Sequence, residues 1–314
     1  MKRERMLWQL AGRVYHEAVF QASISSAGSN VTRLMERMKS NTGYVSRQAR
    51  MVQILGSVYL LIAAVLPAAV ISQLAGGVTH QWNVLVSTFS GTIFLVIQTG
   101  YLMILTLMAT AEILAPDLYR WPESLPIQNQ QAGLLRLMAL SREFMLPLAV
   151  ILLAYPVVAG VASRSAFVGA LSLPVSLTHA AATLSIIVLA SWRLRRTLRA
   201  ASGSDRRAAT IRVITMAGYG VGIVLIIAVM QFGSNLVGSL LDDPRMSTEG
   251  ASTLSQILAL VPLPTAAASL VSALAARSAG LPVSPPLWMP ILGTGLYALA
   301  TLGLFRAAWR IMGT

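Results

Sequence analysis

The sequence predicts an all-α polytopic membrane protein, on the basis of its composition, its long apolar runs and the distribution of its positive charges. Of its 314 residues, 55% are hydrophobic and only 11% are charged, whereas about 25% of residues are charged in an average soluble domain. Stretches long enough to cross a hydrocarbon core of roughly 30 Å recur along the chain. We therefore expect six transmembrane helices, preceded by a cytosolic N-terminal region.

The chain divides at about residue 50. Residues 1–50 are polar and basic, without the compact apolar run of a cleavable signal peptide. Residues 51–314 form the predicted transmembrane domain. Its spans are expected at about 51–74, 84–111, 134–161, 170–192, 213–240 and 287–309.

The N-terminal region contains a helical pattern over residues 7–21. Apolar side chains such as Leu7, Leu10 and Val14 fall on one side, and polar ones such as Arg13 and Glu17 fall on the other. Such a helix lies flat in the membrane interface or packs on another part of the same protein. Both interpretations fit the pattern.

The positions of Lys and Arg predict the orientation. In the six-span arrangement, all 24 of these residues lie on one side except Arg164, Arg245 and Arg277. Because positive residues accumulate in cytoplasmic loops, we expect both termini to be cytoplasmic and the protein to lie in the plasma membrane. The net charge of +13 then reflects topology, and we expect no nucleic-acid site.

The segment 252–275 is ambiguous because it is nearly long enough to span. A seventh span there would place Arg306 and Arg310 outside. Pro262 and Pro264 would also remove backbone donors at mid-depth. We favour a re-entrant or interfacial hairpin on the outer side, between spans 5 and 6.

Several kinds of chemistry lack their motifs. The sequence has no G-x-x-x-x-G-K-[ST] phosphate loop, no cysteine and no H-E-x-x-H pair, so we expect neither an enzyme nor a resident cofactor or metal. "DDPR" (242–245) is best explained as a turn. The predicted spans contain no Asp or Glu at mid-depth, and His179 is interpreted as a packing residue, with a proton relay as the alternative.

Uncharged polar residues within the spans are the candidates for contacts with a substrate or a second subunit. They include Gln98, Thr99, Gln231 and Asn235, with Ser87 and Thr88 near the outer end of span 2. Hydrogen bonding between helices, worth about 0.6 kcal/mol for each bond, is the structural alternative.

The stretch "EILAPDLYRWPESLPIQNQQ" (112–131) is amphipathic and interrupted by Pro116, Pro122 and Pro126. Leu114, Leu118, Trp121 and Leu125 recur at spacings of three and four. A loop held at the membrane surface by Tyr119 and Trp121 is one interpretation. A docking segment for another protein is the other.

On these residues the sequence resembles the transmembrane subunit of an ABC transporter of the type-2 exporter permease superfamily. "AEIL" (111–114) and "ESLPIQNQQAGLLRLMAL" (123–140) match that family's Glu-containing end of span 2, amphipathic coupling helix and Leu-Pro-[Ile/Leu/Val] opening of span 3. The six spans, cytoplasmic termini, interfacial N-terminal helix and outer re-entrant segment also fit. Asn129 and Gln130 depart from the pattern, since basic residues are common there.

The resemblance implies partners and roles. A separate ATPase subunit, which binds the ATP and Mg, would dock on the coupling helix through Glu112, Leu114, Asp117, Leu118, Arg120, Trp121, Glu123 and Leu125. A second permease chain, identical or different, would complete the transporter. Spans 2 and 5 would line the dimer interface and the path through Gln98, Tyr101, Gln231 and Asn235. The cargo would be an exported amphipathic molecule: lipid-like, a drug or a peptide.

Three other functions are compatible with parts of the sequence. An ion-driven secondary transporter would usually need intramembrane carboxylates, which are missing here. A non-transport scaffold or complex subunit requires no motif. A membrane-embedded enzyme would need paired carboxylates or a metal-ligand cluster in the spans.

Overall fold

The computed structural model of the chain describes residues 6–15, 17, 32, 36, 44–75, 83–113, 134–135, 138–139, 142, 144–201, 248–281 and 283–312. These residues form helices joined by turns, without strands, as the sequence predicts. Five helical segments are long and apolar enough to cross a membrane: Gln53–Ala75, Val84–Met103, Met145–Ala162, Ala166–Ala190 and Trp288–Ile311. These segments mark the chain as an integral membrane protein. The predicted fifth span, 213–240, lies outside the described residues.

The first membrane segment consists of two helices, α2 (Tyr44–Ala63) and α3 (Val65–Ala75), separated by a turn at Ala64. Pro67 lacks the amide hydrogen that would bond to the carbonyl of Ala63, which explains the break. Helix α2 starts well before the predicted span, and its outward side chains are largely apolar and exposed, for example Ile54, Leu55 and Ile62.

Helix α4 (Asn83–Ile113) is the central helix of the described bundle. It packs against α2, α3 and three later helices, and it has the most buried apolar window of the five segments. Its length agrees with the long second span expected at 84–111. The helix continues beyond the apolar window without interruption to Ile113.

Helices α5 (Met145–Ala162) and α6 (Ala166–Ala201) form a tight pair. Their connection contains only residues 163–165, and Arg164 adopts a left-handed conformation (φ 54°). The helices touch where a Cβ on Gly160 would lie 3.2 Å from the Cα of Gly169. Helix α5 begins after a turn at Phe144, later than the predicted span start at 134.

Helices α7 (Thr248–Leu260) and α8 (Pro264–Ser278) form a hairpin before the last helix, α9 (Trp288–Met312). The hydroxyl oxygens of Ser252, near the start of α7, and Ser284, just before α9, lie 3.0 Å apart. The hairpin therefore begins and ends at the same end of the bundle. Each of its helices is shorter than the roughly 20 residues that a spanning helix needs.

Side-chain pairs fix the helix directions. Thr99 lies beside His179 and Thr183, and Leu95 also bonds His179, so α4 and α6 are parallel. Tyr297 bonds His179, and Ala308 joins the core cluster of Val188, so α9 is parallel to α6. By contrast, α8 is antiparallel to α4, because Ala268 lies at Gly91 and Ser272 at Ser87.

The N-terminal helix α1 (residues 6–15) packs against the segment before α5. Ala11 and Val14 form a buried cluster with Leu135 and Ala139. The Arg142 guanidinium lies 4.4 Å from the centre of the Trp8 ring and occupies the space that a Cβ on Gly12 would need. These contacts support the interpretation that α1 packs on another part of the same protein. Trp8 and Met6 remain exposed on a different side of the helix.

Candidate functional site

The structure describes only the first two residues of the predicted docking segment, Glu112 and Ile113. Helix α4 carries the backbone of Glu112 in its last turn. The other seven docking candidates lie outside the described residues: Leu114, Asp117, Leu118, Arg120, Trp121, Glu123 and Leu125. Their proposed role stays a prediction.

Gln98 is the predicted path residue with the least satisfied environment. Its side chain is 0% exposed, yet neither the amide oxygen nor the amide nitrogen has a hydrogen-bond partner in the described part of the chain. Burying an amide without a partner costs roughly 1–3 kcal/mol by protein mutational data. The side chain is thus available to bind a donor and an acceptor at once.

Tyr101, the second path candidate on α4, is half-buried and contacts α2. Its hydroxyl lies directly on Gly56, where a Cβ would collide with it, and its ring centre lies 6.1 Å from that of Tyr59. The other two path candidates, Gln231 and Asn235, lie outside the described residues. A shared path through the four candidates therefore stays a prediction.

The enclosure of Gln98 refines the expectation that span 2 faces a dimer interface. Helix α4 is surrounded by helices of its own chain, so Gln98 points into a single bundle and not onto a surface. A path along Gln98 would run inside one chain or would require the packing around α4 to open.

The best-defined polar cluster in the described bundle surrounds His179. The ring lies 1% exposed between α4, α6 and α9. Its Nε2 lies 2.9 Å from the Leu95 carbonyl oxygen, and its Nδ1 lies 3.1 Å from the Tyr297 hydroxyl oxygen. The Thr99 hydroxyl oxygen is 3.2 Å from Nε2 and 3.1 Å from that of Thr183.

These contacts select one form of the histidine. A carbonyl only accepts hydrogen bonds, so Nε2 carries a hydrogen and donates to Leu95. In the neutral ring, Nδ1 then accepts a hydrogen bond from the Tyr297 hydroxyl. All polar atoms of the ring are satisfied without a charge, which agrees with the interpretation of His179 as a packing residue.

Sequence reasoning missed Tyr297 and Thr183 as partners of this histidine. A signal for Thr183 was available, because Ser172, Ser176, His179 and Thr183 recur at helical spacing on α6 and are all buried. Tyr297 lies 118 positions away in the sequence and had no comparable signal. Ser87, named as a polar span residue, accepts a hydrogen bond from the hydroxyl of Ser272 at 2.8 Å.

Among the described residues, no group of three or more His, Cys, Asp or Glu side chains could hold a metal ion. The candidate site is thus an uncharged one, made of amide, hydroxyl and imidazole groups inside a helical bundle. Comparisons with protein-family models, with curated proteins and with solved structures find no match.

Proposed function

We propose that this chain is the transmembrane permease subunit of an ATP-driven ABC transporter, and that it exports an amphipathic molecule such as a lipid-like compound, a drug or a peptide. A separate ATPase subunit would dock on residues 112–131 and drive a dimer of permease chains. The protein would lie in the plasma membrane, and both of its termini would face the cytoplasm.

The observation that carries this proposal is the helical structure and packing of the described residues on either side of the docking segment. Helix α4 enters it without a break at Ile113. Beyond it, Leu135 and Ala139 are packed against α1, and Arg142 lies over Trp8. A force applied to the docking segment would be transmitted into α4 on one side and towards α5 on the other.

The hairpin of α7 and α8 gives further support. Because α6 and α9 are parallel, the chain between them must cross the bundle an odd number of times. A hairpin that returns to its own end contributes no crossing, which is compatible with the fifth span that the sequence predicts at 213–240. This arrangement favours six spans with an outer re-entrant segment over seven spans.

The second candidate function is ion-driven transport, which the buried His179 motivates. The five described membrane segments contain one histidine, His179, and no Asp or Glu. Ionisable residues inside a membrane often mark ion pathways. Its complete hydrogen bonding in the neutral form favours packing instead. Transport that persists without any ATPase and stops with a protonophore would select this candidate.

The ABC proposal is tested by purifying the tagged chain in mild detergent, identifying its partners and measuring ATP hydrolysis. We expect a stoichiometric partner with a phosphate loop. Trp121→Asp should release it, because a carboxylate replaces the largest apolar side chain of the predicted docking stripe.

The matched control is Trp288→Asp. Trp288 is exposed at the first residue of α9, where an acidic side chain is compatible with the helix dipole, and it lies on the predicted opposite side. The control should retain the partner. A chain that purifies alone, or with a partner lacking nucleotide motifs, contradicts the proposal.

A further inference from the structure

Hydroxyl groups in the described helices commonly donate to a carbonyl of their own helix. Thr88 bonds Val84 at 2.8 Å, Ser185 bonds Ala181 at 2.7 Å and Thr301 bonds Tyr297 at 2.8 Å. Four hydroxyls on α6, α8 and α9 depart from this habit. Their oxygens are enclosed, but they have no hydrogen-bond partner in the described part of the chain: Ser176, Thr265, Ser269 and Thr294.

The helix directions place three of these hydroxyls at one level. His179 bonds Tyr297, and α6 and α9 are parallel. Ser176 and Thr294 each precede a member of that pair by three positions, so both lie about 4.5 Å nearer the helix starts. Ala266 contacts Gly293 at that level, which brings the adjacent Thr265 there as well.

The remaining polar groups extend this level into a row. Ser269 lies one turn further along α8, and Ser272 follows it, with its hydroxyl on Ser87. Ser87 is in the second turn of α4, near the end of the bundle where the hairpin begins. We call this row, from the Ser87–Ser272 pair to the His179–Tyr297 pair, the hydroxyl row.

The start of α8 lies at this level. Helix α8 begins beside α9, close to Gly293, and its first turn carries Thr265. Hydroxyls gathered at one level supply the two to four polar partners that an internal water molecule needs.

We propose that the hydroxyl row binds a short chain of water molecules, held by Ser176, Thr265, Ser269 and Thr294, which leads from the end of the bundle to His179 and Tyr297. Hydroxyl groups with unused capacity can donate to and accept from water in sequence. His179 would thereby contact water from one end of the bundle only. This inference is independent of the proposed transport function.

Thermal unfolding of the purified protein distinguishes a hydrated row from a dry one, because the two predict opposite differences in Tm between row variants and control variants. We compare Ser176→Ala with Ser185→Ala on α6, and Thr294→Val with Thr301→Val on α9. Removing a hydroxyl that binds water loses hydrogen bonds, so the row variants should have a lower Tm than their controls. A dry row predicts the reverse, because an unsatisfied buried hydroxyl is removed. Row variants with a Tm equal to or above their controls overturn the proposal.

A measurement on the unmodified protein decides the matter if a variant fails to fold. Radiolysis generates hydroxyl radicals from bound water, and mass spectrometry locates the oxidised side chains. We expect Tyr297, beside the hydroxyl row, to be oxidised although its side chain is only 6% exposed. A Tyr297 that stays unoxidised while exposed side chains react would mean that no water lies near it.

Discussion

At the scale of single residues, Tyr297 is the partner on which the neutral form of His179 depends. Its hydroxyl is the donor to Nδ1, so Tyr297→Phe leaves a buried acceptor unsatisfied. Leaving one buried group without its partner costs about 1–3 kcal/mol. We expect this loss in the free energy of unfolding, measured by thermal or denaturant unfolding in detergent.

Tyr155→Phe is the matched control for this prediction. It removes the same atom from another fully buried tyrosine, but one whose hydroxyl has no partner in the described part of the bundle. The free energy of unfolding of the Tyr155→Phe protein should be unchanged or higher. Equal losses in the two variants would show that the bond to His179 contributes nothing specific.

The sequence allowed part of this residue-level description. His179 was recognisable as an isolated ionisable residue in a span, and Gln98 and Thr99 as polar residues of span 2. The partners of His179 were not, because they depend on how α4, α6 and α9 pack. The missing partner of Gln98 was equally hidden, since burial and hydrogen bonding of an amide follow from packing alone.

At the scale of helices, the seat of the α7–α8 hairpin on α9 is set by Gly293. A Cβ there would collide with the carbonyl oxygen of Ala259 and lie 2.9 Å from the Cβ of Ala266. Because a backbone carbonyl at a helix end cannot rotate away, Gly293→Ala should push the hairpin off α9. We expect a loss of about 1–3 kcal/mol, as for overpacked cores, measured by thermal unfolding.

Gly295→Ala tests whether this effect is local. It lies two positions further along the same helix, and a Cβ there meets nothing within 4 Å. The variant should be unchanged or more stable, since alanine favours the helix over glycine by about 1 kcal/mol. A Gly293→Ala protein as stable as this control would show that the hairpin does not sit tightly on α9.

Helix positions were more predictable than helix ends. The apolar runs gave the locations of the five described membrane segments, because burial in lipid demands long apolar helices. The start of α5 and the turn at Ala64 were not expected. Prolines in spans are tolerated in many positions, so Pro67 alone could not show that it interrupts the helix.

At the scale of the whole molecule, the orientation can be tested with single cysteines. The chain contains none of its own, so each variant carries one reactive thiol. A membrane-impermeant maleimide added to intact cells should label Arg164→Cys and leave Ser204→Cys and Thr314→Cys unlabelled, because the Lys and Arg positions predict that the last two lie in the cytoplasm.

Permeabilised cells provide the control, since all three variants should then react. Labelling of Thr314→Cys in intact cells would mean that residues 252–275 cross the membrane as a seventh span. Labelling of Ser204→Cys would reverse the whole orientation. Only the second result would also remove the docking segment from the side on which an ATPase could reach it.

The class of the fold was readable from composition because the membrane imposes one solution, a bundle of apolar helices. The functional proposal was less accessible to physical reasoning. Docking and transport depend on a second protein, and the residues expected to contact it, such as Leu118 and Trp121, follow a loose pattern that a surface-anchored loop would share.

The tight pair of α5 and α6 also bears on biogenesis. Two apolar helices joined by residues 163–165, with Gly160 and Gly169 allowing close backbone contact, can leave the translocation channel for the lipid as one unit. Small residues at such contacts let helices associate through close packing. Arg164 would then be the only strongly basic residue that must travel across during this step, carried through by the two helices that flank it.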